Sequence, residues 1–167
     1  MVVPWAMSDA PVRLATAADL AAIARMGADL ARRHEGYDPL RFHVPDGFEA
    51  GYGEWFAQEL PQVPDAVYLG VVDGPTGLAG YVYGRLEGRD WDRLLEPHAS
   101  LVDVYVEAGA RGQGLGARLV RAFCAWADER AARVVLSSAT ANEGAQRLFV
   151  ALGFRPTMVE LTRERPQ

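Results

Sequence analysis

Between Arg111 and Ala117 the chain reads Arg-Gly-Gln-Gly-Leu-Gly-Ala, with glycines at 112, 114 and 116 and an arginine just ahead of them. Glycines in this number expose backbone N–H groups and let a ligand approach them closely. The amphipathic run that follows predicts a helix from about 114 to 130, on which Leu115, Leu119, Phe123, Trp126 and Ala127 share one face. A helix start carries unpaired N–H groups and the positive end of the peptide dipole. One reading is therefore a cradle for a phosphate or diphosphate, with Arg111 adding charge. The other is a glycine-rich turn into a helix with no ligand. The glycines alone leave both open.

Gly112, Gly114 and Ala117 also fit the dinucleotide fingerprint G-x-G-x-x-[GA]. That fingerprint needs an acidic residue about 20 positions on, at the end of the next strand, to hold a ribose. The next strand here ends Leu-Ser-Ser-Ala-Thr-Ala, without one. Too little chain follows for a doubly wound domain, so the fingerprint fails its context.

Other chemistry is bounded by what the sequence lacks. All 17 basic residues are arginine, so a Schiff-base lysine, a Walker-type phosphate lysine and a lysine base are excluded. The one cysteine, Cys124, rules out an intrachain disulfide framework or a thiolate zinc site, and no metal is expected. Placed mid-helix, it reads as a small core residue and not a nucleophile. A net charge of −5 argues against nucleic-acid binding. No apolar run approaches the roughly 20 residues of a membrane helix, and residues 1–6 do not read as a signal peptide. A cytoplasmic protein is the default expectation. The abundance of Ala, Gly and Pro with arginine in place of lysine suggests a GC-rich bacterial genome.

The 167 residues suit one domain, expected over 11–167, with 1–10 as a disordered leader and Met7 as an alternative start. The elements that must position the glycine segment follow from periodicity. A strand is predicted over 12–16, then a helix capped by Thr16 and running to 34. A Pro- and Gly-rich loop leads to a weaker helix ending before Pro61. Strands follow at 66–72 and 78–88, joined by turn residues, and at 100–106. After the glycine helix come a short buried strand at 133–139, a helix over 142–154 closed by Gly153, and a last strand at 157–164. The order β-α-α-β-β-β-α-β-α-β gives an α/β (α+β mixed sheet) fold, antiparallel at first, with a parallel β-α-β step around the glycine segment.

Arg111-Gly112-Gln113-Gly114-Leu115-Gly116 also matches [RQ]-x-x-G-x-[GA], and the segment resembles the acetyl-coenzyme A signature of the GNAT superfamily of N-acetyltransferases. The strand Leu-Val-Asp-Val-Tyr-Val sits directly ahead of it. Downstream, Asn142, Ala145, Leu148, Phe149, Gly153 and Phe154 match the family's N-x-x-A-x-x-L-[YF]-x-x-x-G-F helix. The resemblance is strong over about 100–155 and loose over the N-terminal half. It implies a GNAT-like fold and direct transfer of an acetyl group from acetyl-CoA to a primary amine of a small molecule, without an acyl-enzyme. The diphosphate would rest on backbone N–H groups of Gly112, Gln113, Gly114, Leu115, Gly116 and Ala117 beside Arg111. The pantetheine arm would add to the backbone of Val104, Tyr105 and Val106, one of whose amides could polarise the thioester carbonyl. Asn142 would touch the arm or simply cap its helix, and Phe149 would line the site. Homodimers are common among similar proteins. The alternatives are an acyl-CoA-binding regulator without turnover and a protein acetyltransferase acting on lysines or N-termini.

Two catalytic positions remain. An alkyl amine with a pKa near ~10.4 needs a base or water chain at neutral pH. Asp103 is the carboxylate within the strand before the motif and is favoured over Glu107 and Glu160; His43 and His98 are further alternatives. The position one earlier, where polyamine-acetylating relatives can carry a base, is Val102. Many relatives place a tyrosine acid on the last helix, where this chain has Phe149. Tyr105, with Tyr81 or Tyr83, is the candidate to replace it. The aromatic-rich stretch over 34–60 is the expected acceptor-binding region.

Overall fold

The computed structural model describes residues 10–165, so most of the expected leader lies outside the described residues. Its elements are β1 (Arg13–Leu14), α1 (Leu20–Tyr37), α2 (Phe48–Glu59), β2 (Val67–Gly74), β3 (Gly77–Glu87), β4 (His98–Val106), α3 (Leu115–Asp128), β5 (Val134–Leu136) and α4 (Glu143–Ala151). They form one five-stranded sheet in the order β1-β2-β3-β4-β5. The first four strands pair antiparallel and β4 pairs parallel with β5. The mixed sheet and its parallel β-α-β step are as the sequence predicts.

The two faces of the sheet are covered by different helices. Leu115, Leu119, Phe123, Trp126 and Ala127 of α3 pack with Val82, Leu101 and Tyr68 on one face. That is the predicted apolar stripe, and it is buried along its whole length. On the other face Ile23 and Met26 of α1 and Phe56 of α2 meet Leu69, Tyr81, Tyr83 and Tyr105. Thr16 begins the turn into α1, and its N–H and hydroxyl both donate to Asp19, at 2.8 and 3.1 Å.

One predicted element does not form. Residues 154–165 contain neither helix nor strand. The apolar residues of the expected last strand find no cover: Met158, Val159 and Leu161 are 68%, 75% and 89% exposed. A strand needs a neighbour to satisfy its backbone, and β5, at the sheet edge, is only three residues long.

Candidate functional site

The central feature is a change in the pairing of β4. Its partners on β3 run Tyr83↔Asp103 and then Gly84↔Leu101, so Val102 is an extra residue on β4. Such a bulge bends the strand that carries it. On its other side β4 pairs with β5 only at Ala99, Ser100 and Leu101. From Val102 onward no strand of the described residues lies beside that edge. The Glu107 N–H donates across β3 to the Ala79 carbonyl at 2.9 Å. Backbone groups alternate sides along an antiparallel ladder, so those of Val104 and Val106 face the open edge.

The glycine segment lies at the end of this edge. Gly112 and Gly114 both have φ of 75°, a left-handed conformation that favours glycine, and Gly114 is the N-cap of α3. Apart from the adjoining residues, no described heavy atom lies within 4 Å of where a Cβ would stand on either glycine, so their free faces look into open space. Leu115 is buried and pins the helix start to the core. The first intrahelical bond runs from Arg118 N–H to Gly114 O at 3.1 Å. The N–H groups of Leu115, Gly116 and Ala117 therefore have no partner within the helix. Gln113 is exposed beside them. Arg111 turns back: Nε and Nη2 donate to the Val106 carbonyl at 3.0 and 2.9 Å, and its guanidinium lies 5.9 Å from the Tyr105 ring centre. In this arrangement Arg111 joins the loop to the strand end and neutralises one of the two backbone groups Val106 offers there.

Helix α4 adjoins the start of α3. Asn142 caps α4, its Oδ1 accepting from the Ala145 N–H at 3.3 Å. Gly116 packs against Leu148, and Phe149 packs on the α3-side core with its ring 5.8 Å from that of Phe154. Beyond the end of β5, the hydroxyl of Ser138 is buried without a hydrogen-bond partner. Open ladder groups, bare N–H donors at a helix start and a spare hydroxyl suit a ligand that carries hydrogen-bonding and anionic groups.

The side chain of Asp103 lies on the opposite face of β4, toward α1 and α2. Its Oδ2 accepts hydrogen bonds from the hydroxyls of Tyr52, on α2, and Tyr81, on β3, the latter at 3.1 Å. Burial pushes the Asp103 carboxyl above the usual carboxylate range, and the two hydroxyl donors act against that. Burial likewise drives both phenols up. Tyr105 is buried on this same face, its hydroxyl donating to Asp29 at 3.4 Å, with Arg33 5.4 Å from its ring centre.

The other candidate bases are engaged elsewhere. Glu107 pairs with Arg25 at 2.6 Å and Glu160 with Arg41. His98 is buried with Nδ1 2.9 Å from the Glu96 carbonyl, and His43 is 84% exposed. Burial raises the Cys124 thiol, in keeping with an inert residue. Tyr52 is the residue that sequence reasoning missed. Its signal was the aromatic spacing of Phe48, Tyr52, Trp55 and Phe56 along α2, which also reads as plain packing.

The sequence pattern of the acetyltransferase (GNAT) family matches residues 33–154. No curated protein matches the chain. Among solved structures, a tetramutant protein of Bacillus halodurans superposes with a TM-score of 0.74 at 19% identity, covering 93% of this chain and 99% of that one. A transcriptional regulator of the same organism gives 0.70 at 23% identity, over 93% and 99% of the two chains. An aminoglycoside 6'-N-acetyltransferase of Acinetobacter haemolyticus gives 0.66 at 16% identity, over 93% and 98%. At these identities the likeness is one of fold. Among the described residues no helix is long and apolar enough to cross a membrane.

Proposed function

The chain belongs to the GNAT family of acetyltransferases, and from that premise we propose that it moves an acetyl group from acetyl-CoA to a primary amine of a small molecule. The observation that carries this reading is the unpaired edge of β4 beyond Leu101, which ends at the glycine-rich start of α3. Acetyl-CoA supplies an activated acyl thioester. Val104 and Val106 would offer backbone groups to its arm, and the unpartnered hydroxyl of Ser138 and the side chain of Asn142 would supply further polar contacts. The N–H groups of the 112–117 segment, at the positive end of α3, suit its diphosphate. Asp103 reaches the other face of β4, between the open edge and the aromatic residues of α2, and serves as the base for the acceptor ammonium. Tyr105, with its hydroxyl turned to Asp29, packs under this region.

Calorimetric titration with acetyl-CoA, and with NADH as the dinucleotide control, tests the reading. Acetyl-CoA binds and NADH does not. Gly114→Trp places a large side chain at φ of 75° in the cradle; it weakens acetyl-CoA binding at least about a hundredfold, near 2.7 kcal/mol, while thermal melting shows that the fold persists. Thiol release with a panel of amines then reports turnover. Binding without turnover for any amine would favour a regulator, and NADH binding in place of acetyl-CoA would overturn the family chemistry.

A further inference from the structure

Asp103 uses its two carboxylate oxygens unequally. Oδ2 takes both tyrosine hydroxyls. Oδ1 has no hydrogen-bond partner among the described residues, so its lone pairs are left for another donor. A carboxylate anchored through one oxygen and open at the other is oriented for a single donor arriving from outside. We propose that Tyr52 and Tyr81 are positioning residues for the transfer reaction, locking Oδ2 of Asp103 so that Oδ1 receives a proton from the acceptor ammonium. This rests on the amine-acetylation reading above.

Three elements converge to fix the lock. Tyr52 is held along α2 by Phe48, stacked at 5.0 Å, and by Phe56, edge-on at 4.7 Å. Tyr81 is fully buried on β3. Both meet α1 at Gly27, where a Cβ would stand 2.1 Å from Tyr52 Cε1 and 3.2 Å from the Tyr81 hydroxyl. A glycine inside a helix weakens it relative to alanine; here it makes room for the two rings. The titratable groups that face Asp103 are Tyr52 from α2, Tyr81 from β3 and, at longer range, His34 from α1. No arginine pairs with it among the described residues, which leaves the negative charge to be met by the acceptor's own cation.

The step balances. The ammonium gives one proton to Oδ1, its nitrogen lone pair forms the bond to the acyl carbon, and the carbon–sulfur bond breaks with its electron pair going to sulfur. The second proton of the amine nitrogen leaves to solvent as the amide forms, and the proton on Oδ1 is then available to the thiolate.

The test reads Asp103 directly. Full-length protein carrying carboxyl-13C aspartate is titrated by NMR, and the pH profile of kcat/KM is measured in parallel. In Tyr52→Phe the Asp103 midpoint and the acid limb of kcat/KM both move up by about one pH unit, since the charged form loses a hydroxyl donor, and acetyl-CoA affinity is unchanged. Gly27→Ala produces the same shift with both tyrosines intact, because the rings must move. An unmoved midpoint in both folded variants, beside normal wild-type turnover, overturns the positioning role alone. Absence of wild-type turnover with every amine overturns the reading on which it rests.

Discussion

Strand β3 carries two tyrosines on one face, two residues apart, and each donates to a carboxylate. Tyr83 meets Glu59 at 2.8 Å and Tyr81 meets Asp103 at 3.1 Å. The pairs differ in what else is present. Glu59 is buried, and Arg85 lies 3.6 Å from it, so its charge is balanced within the protein. Among the described residues Asp103 has only hydroxyl donors, and it sits on the bent part of β4, beside the open edge. On the reading proposed above, the same pair of groups serves packing in one place and chemistry in the other. The presence or absence of an internal cation separates the two roles: a balanced buried charge stabilises what it touches, and an unbalanced one waits for a ligand.

Exchanging the losses is the strongest way to break this comparison. Asp103→Asn keeps an oxygen for both tyrosines but removes the base, so kcat/KM falls by about a hundredfold or more in a thiol-release assay while acetyl-CoA still binds. Glu59→Ala orphans the Tyr83 hydroxyl and removes one of the two carboxylates that pair with Arg85, leaving Glu87 at 3.1 Å. It costs about 2 kcal/mol of stability in denaturant unfolding, with kcat/KM of the folded protein unchanged. If Glu59→Ala matched Asp103→Asn in lost turnover, the separation of roles would collapse.

The acid dependence of stability sharpens the same contrast, because the two kinds of carboxylate have opposite signs. Asp19 is held by Arg13 through bonds of 2.8 and 2.9 Å and by the Thr16 N–H, and its pKa is lowered to about 2. A depressed folded pKa gives stability that is present above the unfolded value and lost as pH falls toward about 2. Asp19→Asn therefore lowers stability by about 2 kcal/mol at pH 7, a difference that shrinks through the acid range. Asp103 is raised, so its charge costs stability above its folded pKa and the cost is relieved as pH falls through that value. Asp103→Asn raises the melting temperature at pH 7, and the gain fades toward pH 4. Melting curves of both variants across this range test the two signs together.

Much of this frame was legible in the sequence. The stripe on α3 and the glycines ahead of it follow from spacing of side chains along one helix, which is local information. Asp103 stood out because few carboxylates lie within a predicted strand. Tyr52 could not be read this way. Its partner is 51 residues away in sequence, and the gap that admits its ring is set by Gly27 on a third element. The bulge at Val102 was equally hidden, because an extra residue appears only when the register of β3 against β4 is known. The expected last strand failed for the converse reason: its residue types are those of a strand, but a strand depends on a neighbour that local sequence does not supply.

The smallest expected effect lies across the cleft, at Phe149, where many relatives carry a tyrosine. Phe149 packs with Phe154 against the α3-side core and has no carboxylate beside it among the described hydrogen bonds and ring contacts. Phe149→Tyr adds a hydroxyl to an apolar cluster, at a cost of about 1 kcal/mol if it points inward. Thiols have a pKa near about 8.5, so the leaving group tolerates departure as thiolate and gains little from a nearby acid. The variant therefore changes kcat by less than about threefold, equivalent to under 0.7 kcal/mol, and lowers the melting temperature slightly. A rise of tenfold or more would show that thiolate protonation limits the wild type, and that a tyrosine hydroxyl matters here without a carboxylate to hold. The contrast between the two ends of the cleft would then rest on protons at both, and not on the charge of Asp103 alone.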